Sequence, residues 1–208
     1  MKITSKPGVG NKVHIHLDGK YAFTLYDDYW YRLGLAEGCE ISDEELASLQ
    51  EEAGFRSAYE KGLKLLTTRA YSRKELTENL RIKFGQSAAE RAVQKLASYG
   101  YIDDEAFCEE YVRYLFEVKK FDTRRIEQEL RQKGISGETV SKTLKTLDNE
   151  PIRRIIEMLG TKYERYLGDE KDIRRLVARF MRMGYSYRDI KEAFAQSGVD
   201  MPDHGGNL

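Results

Sequence analysis

Asp103, Asp104 and Glu105 form a dense carboxylate group of the kind that can ligate a metal or exchange protons. They stand immediately before an apolar helical run, which assigns them to capping and dipole complementation instead. His14 and His16 point the same way from an alternating strand and could bind a metal. No Cys or further His lies nearby to complete a shell, so a solvent-facing strand surface is expected there. Cys39 and Cys108 stand far apart in dissimilar contexts, which argues against a disulfide framework and fits a reducing compartment. The chain has no Gly-rich phosphate loop, zinc spacing, nucleophile elbow or Ser, His and Asp set. Neither catalysis, a metal nor a cofactor is expected.

The cations carry more information. With Ile126 and Leu130 as the buried direction, about 100 degrees of rotation per residue puts Arg124 and Arg131 on the outward stripe. Fifty residues earlier the equivalent positions are Lys74 and Arg81, and fifty later Arg174 and Met181, with Arg125 and Arg175 alongside. Five of these six outward positions are basic. Lys74, Arg124 and Arg174 each fall two residues after an expected helix cap, where the macrodipole disfavours a cation. A locally unfavourable charge repeated three times points to an anionic partner. The competing reading is a solvated face balanced by Glu75, Glu78, Glu127 and Glu129.

The elements that position this stripe form an internal repeat. Asp122 is expected to cap a helix buried through Ile126 and Leu130 and stopped at Gly134, with a second helix buried through Val140, Leu144 and Leu147. Ser72, Leu76 and Leu80 echo it fifty residues earlier, followed by Ala89, Val93 and Leu96 after a one-residue slip. Asp172, Leu176, Phe180, Gly184, Ile190 and Phe194 echo it fifty later. A preceding helix completes each unit, burying Phe55, Ala58, Tyr59, Leu63 and Leu66 in the first. The second uses Phe107, Tyr111, Leu115 and Val118, and the third, opened by Pro151, uses Ile152, Ile155, Ile156, Leu159 and Tyr163. The expected fold is mainly α: three tandem three-helix repeats, residues 55–104, 105–149 and 150–200, stacked into an elongated curved body. A flexible tail, 201–208, should follow.

Residues 1–54 differ. Two alternating runs around Asp18 and Gly19 predict a β-hairpin, Asp27 or Asp28 should cap a short helix through Trp30, and Ser42 with Glu45 forms a capping box. This predicts a small α+β module, with Gly54 marking its junction with the repeats. It is also acidic: residues 1–56 hold six basic against ten acidic side chains, and 57–148 hold eighteen against fifteen. The whole chain balances at 35 of each, which excludes a uniformly basic nucleic-acid binder and leaves room only for a local patch. No signal peptide and no apolar run of membrane-spanning length is present, so a cytoplasmic monomer without membrane contact is expected.

The run Tyr99 to Val112, YGYIDDEAFCEEYV, resembles the signature linking the first and second repeats of the RecX family of bacterial recombinase regulators. Arg69, Tyr71, Ser72, Glu75 and Leu76 are similar to that family's first-repeat motif. Arg125, Ile126, Glu129, Leu130, Lys133, Gly134 and Ile135 are similar to its second. Asp122 and Thr123 depart from the Gly and Pro common at that place. The resemblance implies three tandem three-helix units and binding along the groove of the RecA filament, with single-stranded DNA reached through the filament. It also implies inhibition or disassembly of that filament, which damps recombination and the DNA-damage response. Two other classes fit the residues less well. A helix-turn-helix DNA-binding regulator would need clustered base-reading side chains on the third helices, and a passive helical-repeat scaffold would need no nucleoprotein partner.

Overall fold

In a computed structural model, residues 1–202 are described. The chain divides into two compact units, Met1–Asp103 and Asp104–Leu208. Among the described residues no helix is long and apolar enough to cross a membrane.

The first unit opens with an antiparallel meander of β1 (Ile3–Pro7), β2 (Lys12–Leu17) and β3 (Lys20–Tyr26). Asp18 and Gly19 turn the hairpin with φ of 48° and 79°, the left-handed pair a two-residue type I′ turn demands. The first strand shows no hydrophobic alternation because only its Ile3 is buried; it pairs with Leu17 of β2. Ile3, Val13, Ile15 and Leu25 pack on Trp30 of α1 (Asp27–Leu33) and on Leu49 and Ala53 of α2 (Asp43–Leu66). Neither Asp27 nor Asp28 caps α1. The N-cap is Tyr26, without a side-chain cap bond, and both aspartates lie inside the first turn, where they complement the helix dipole. The capping box of Ser42 and Glu45 does open α2.

Helix α2 then runs unbroken through Gly54 to Leu66. A Cβ at Gly54 would lie 3.4 Å from that of Ala88 in α4 (Gln86–Ser98). The glycine therefore serves close helix approach and does not interrupt the chain. Around the C-terminal half of α2, Ala58 packs with Leu76 and Leu80 of α3 (Arg73–Phe84) and with Ala89, Ala92, Val93 and Leu96 of α4. Gly62 brings the helices closer still, since a Cβ there would sit 2.6 Å from Leu96 Cδ1.

The second unit begins with α5 (Asp104–Arg113), which widens into a π-helical turn over Tyr114–Val118. Next come α6 (Thr123–Gln132), α7 (Gly137–Leu144), α8 (Pro151–Thr161), a 3₁₀ turn at Glu164–Tyr166, α9 (Glu170–Arg182) and α10 (Tyr187–Gln196). Phe107, Leu115, Ile126, Leu130 and Val140 form one core; Ile155, Leu159, Phe180, Ile190 and Phe194 belong to the next. Val118, expected inside, is 66% exposed. The backbone bond from Lys119 N–H to the Tyr114 carbonyl spans five residues, so the π turn rotates Val118 off the buried face.

The fifty-residue equivalence holds in the cores. Leu80, Leu130 and Phe180 are all fully buried. Ser72 and Asp122 cap α3 and α6 through the backbone N–H groups of Glu75 and Arg124. Asp172 does not cap α9. Asp169 does, accepting from the Asp172 N–H at 3.0 Å, because the helix begins three residues earlier and buries Ile173 in its first turns. Of the tail, Met201 packs partly on the last core; residues 203–208 lie outside the described range.

Candidate functional site

Six of the seven proposed partner-binding cations are exposed: Lys74 and Arg81 on α3, Arg124 and Arg131 on α6, and Arg174 and Arg175 on α9. Arg125 is half-buried, its backbone against Gly184. Lys74 and Arg124 do sit second in their helices, at the positive dipole end. Arg174 is the fifth residue of α9, a consequence of the earlier cap, so it escapes that penalty.

Most of the stripe is neutralised within its own helices. Arg81 pairs with Glu78 at 2.6 Å, Arg125 with Glu129 at 2.5 Å, Arg131 with Glu127 at 2.6 Å and Arg175 with Asp172 at 2.8 Å. Arg174 pairs with Glu170. Exposed pairs of this spacing contribute only about 0.3–0.5 kcal/mol each, but they offset the local field. Lys74 and Arg124 are the two stripe cations without an ion pair among the described residues. The solvated-face reading thus describes the arginine pairs, and the uncompensated charge concentrates at two helix starts. Arg69 takes up Glu75 at 3.0 Å while its guanidinium stacks 3.6 Å over Tyr71.

The remaining candidates have structural partners. His14 Nδ1 lies 2.9 Å from Thr24 Oγ1, and no metal-holding group of His, Cys, Asp or Glu exists among the described residues. Asp104 and Glu105 fall in the first turn of α5, where their charge suits the helix dipole. Burial pushes the Cys108 thiol up, and its Sγ meets Thr143 Oγ1 at 3.6 Å.

Two arrangements have no signal in the sequence. The first clasps the third repeat onto the second. Arg154 of α8 is buried without an ion pair among the described residues, with Asp122 and Glu157 acting on it only at longer range; its guanidinium lies 3.6 Å over the Phe116 ring and donates to the Phe116 carbonyl at 2.7 Å and the Phe121 carbonyl at 3.2 Å. Phe116 lies in the last turn before the helix ends at Val118 and Phe121 in the loop beyond it, so both carbonyls lack a helical partner and are open to the guanidinium. Tyr185 Oη donates to the Lys120 carbonyl at 2.9 Å, with Lys120 held at φ 59°. Asp122 N–H donates to the Met183 carbonyl at 2.9 Å. Phe121 packs against both cores. The second is a cationic cleft on the third repeat, bounded by α9 and the 3₁₀ turn.

The clasp has a pH signature. Burial pushes the Tyr185 phenol up to about 12, although the nearby Arg154 charge acts to lower it. A phenol raised in the folded state favours the neutral form there, so its contribution is complete below pH ~10 and is lost as pH rises toward 12. Chemical denaturation of wild type and Tyr185→Phe should show this. The variant should start about 1 kcal/mol less stable for the missing hydrogen bond. Because a pKa raised from about 10 to about 12 withdraws more than about 2 kcal/mol from wild type by pH 12, the gap should close near pH ~11 and then reverse. A gap that stays constant over that range would contradict the assignment.

These features define a class, a protein built of tandem three-helix units behind a small three-stranded sheet, with no group of three or more His, Cys, Asp or Glu able to hold a metal among the described residues. Family models for the first and second three-helix domains of RecX match residues 58–96 and 103–144. Proteins named Regulatory protein RecX align over most of the chain. One from Clostridioides difficile (strain 630) is 27% identical, covering 91% of each chain. One from Caldanaerobacter subterraneus subsp. tengcongensis is 27% identical, covering 88% of this chain and 92% of its own. One from Bacillus subtilis (strain 168) is 24% identical, covering 94% and 75%. A crystal structure titled regulatory protein RecX superposes with a TM-score of 0.60 at 22% identity, covering 95% of this chain and 97% of that one, and shows the same fold. Through both matched three-helix domains and along most of its length, the chain is similar to proteins of the RecX family.

Proposed function

We propose that the chain binds the RecA recombinase filament on single-stranded DNA and inhibits or disassembles it, damping recombination and the DNA-damage response. The observation that carries this reading is the family match across both three-helix domains, joined to what the motif resemblance implies. The chain acts as a cytoplasmic monomer, through contact alone, with no cofactor, metal or catalysis of its own. The outward stripe is its main contact surface. Lys74 and Arg124 contribute most, since Arg81, Arg125, Arg131, Arg174 and Arg175 are already paired within their helices.

Filament binding by anisotropy should weaken as salt rises, because exposed charge contacts are screened beyond a Debye length of about 10 Å at 0.1 M. The triple variant Lys74→Glu, Arg124→Glu, Arg174→Glu should keep its helical circular dichroism and bind at least tenfold more weakly, with a shallower salt dependence. The double variant lacking Arg174→Glu should account for most of that loss. A folded triple variant that still inhibits recombinase ATP hydrolysis at wild-type concentration would sink the stripe. Contact would then be sought at the stacked ladder of Phe107, Tyr111 and Tyr114, whose successive ring centroids lie 5.4 and 6.3 Å apart.

A further inference from the structure

The third repeat carries a concentration of uncompensated positive charge that the stripe does not account for. A cleft of about 540 Å³ is lined by Lys162, Arg165, Arg175, Arg179 and Arg182, with Asp172 as its one carboxylate. Asp172 is engaged by Arg175 at 2.8 Å. No ion pair holds the other four among the described residues. Three of them are instead placed by tyrosines. Arg165 donates to Tyr166 Oη at 2.7 Å with its guanidinium 4.8 Å from that ring, while Arg179 and Lys162 lie 5.3 and 5.7 Å from the Tyr163 ring. A ring orients a cation without cancelling its charge, so the cleft is pre-arranged and remains positive. A volume near 500 Å³ is in the range of small-ligand sites.

We infer that this cleft is a binding site for closely spaced phosphates, either the backbone of a single nucleic-acid strand or a free nucleoside polyphosphate. Phosphate is favoured over carboxylate for two reasons. Four unneutralised cations around one cleft call for several negative charges at short spacing, and planar guanidinium forks match phosphate oxygens two at a time. This site extends beyond the filament reading and does not depend on it.

The test uses the full chain without recombinase and a labelled oligothymidylate of about 12 nucleotides, followed by anisotropy at rising salt. Wild type should bind, with an affinity that falls steeply with salt. Arg165→Glu/Arg179→Glu should bind at least tenfold more weakly, its log–log salt slope reduced by about 0.7 for each phosphate that is no longer neutralised. Arg165→Gln/Arg179→Gln, which keeps the side-chain size, should fall in between, and circular dichroism checks both folds. Displacement of the oligonucleotide by ATP or inorganic triphosphate at comparable concentration identifies the free polyphosphate as the ligand. Failure of both to compete identifies the strand backbone. Wild-type affinity in the double variants, or binding of a polyglutamate peptide with none of the oligonucleotide, overturns the site. Either overturning result leaves the filament reading untouched, since that reading is measured on recombinase with the stripe variants.

Discussion

Arg154→Ala should lower the unfolding free energy of the second unit by about 2–4 kcal/mol. The side chain makes two charge-assisted hydrogen bonds to carbonyls, and each buried acceptor left unpaired on its removal costs about 1–3 kcal/mol. Removing the stack over Phe116 adds about 1 kcal/mol. Opposing these is the cost of holding a guanidinium away from water, visible as a pKa pulled below the ordinary arginine value by burial. Arg154→Met therefore should lose less than Arg154→Ala, since it fills the space without a buried charge. Arg154→Lys should be no rescue, because an ammonium cannot both stack and reach two carbonyls. The consequence reaches beyond stability. With the clasp intact, repeats two and three should exchange their amide hydrogens as one cooperative unit. In Arg154→Ala the amides of α8 to α10 should open before those of α6 and α7. Unfolding at unchanged denaturant concentration, with unchanged exchange, would show that Phe121 and the apolar packing suffice.

Gly184→Ala should cost more, on the order of 3–5 kcal/mol, through backbone strain and overpacking together. Gly184 adopts φ 99°, which an L side chain strongly disfavours, and a Cβ there would lie 2.7 Å from Arg125 Cβ and 2.9 Å from Arg125 N. The obstructing atoms include backbone, so relief requires moving α6 away from the end of α9, which breaks the Asp122 to Met183 hydrogen bond. Gly198→Ala separates the two contributions. Gly198 also has a positive φ, 69°, in the same unit, but no atom lies within 4 Å of the Cβ position. It should cost only the backbone penalty of about 1–2 kcal/mol. Equal losses at both sites would mean that α6 yields freely and that the close approach carries no stability.

The parts of the fold readable in the sequence are those governed by one helix at a time. A buried stripe such as Leu76 and Leu80, or Ile126 and Leu130, is written in period 3.6, and a serine or aspartate before it marks the start. The start of α9 is ambiguous at that level because Asp169 and Asp172 both suit a cap. Choosing between them depends on where the backbone leaves its extended form, which is a tertiary outcome. Strand β1 offers one buried side chain among five residues, too few to show alternation. The stripe cations do lie on outward faces, Arg125 only partly, but their pairing is set by rotamers, and the arginines fold onto carboxylates three or four residues away. Arg154 is hidden in the sequence because Arg153 precedes it with the same chemistry. Only the distant Phe116, Phe121 and Tyr185 decide which of the two turns inward. The cationic cleft is invisible for the same reason, being assembled from the start of one helix, the end of the same helix and the turn before it.

Helix α2 has a bearing on how the chain is made. Its first half is fastened early, since the sheet partners of Leu49 and Ala53 all precede them in sequence. Its second half faces α3 and α4, which leave the ribosome up to about 32 residues later, a delay of roughly 2–6 s at ordinary synthesis rates. During that interval the sheet and capping box hold the helix already nucleated, so extension through Ala58 and Leu66 avoids the unfavourable first turn. The N-terminal module is thus a template for the first repeat: a nascent chain that has emerged from the ribosome as far as Thr67 should already display a structured hairpin and a helix waiting for its partners.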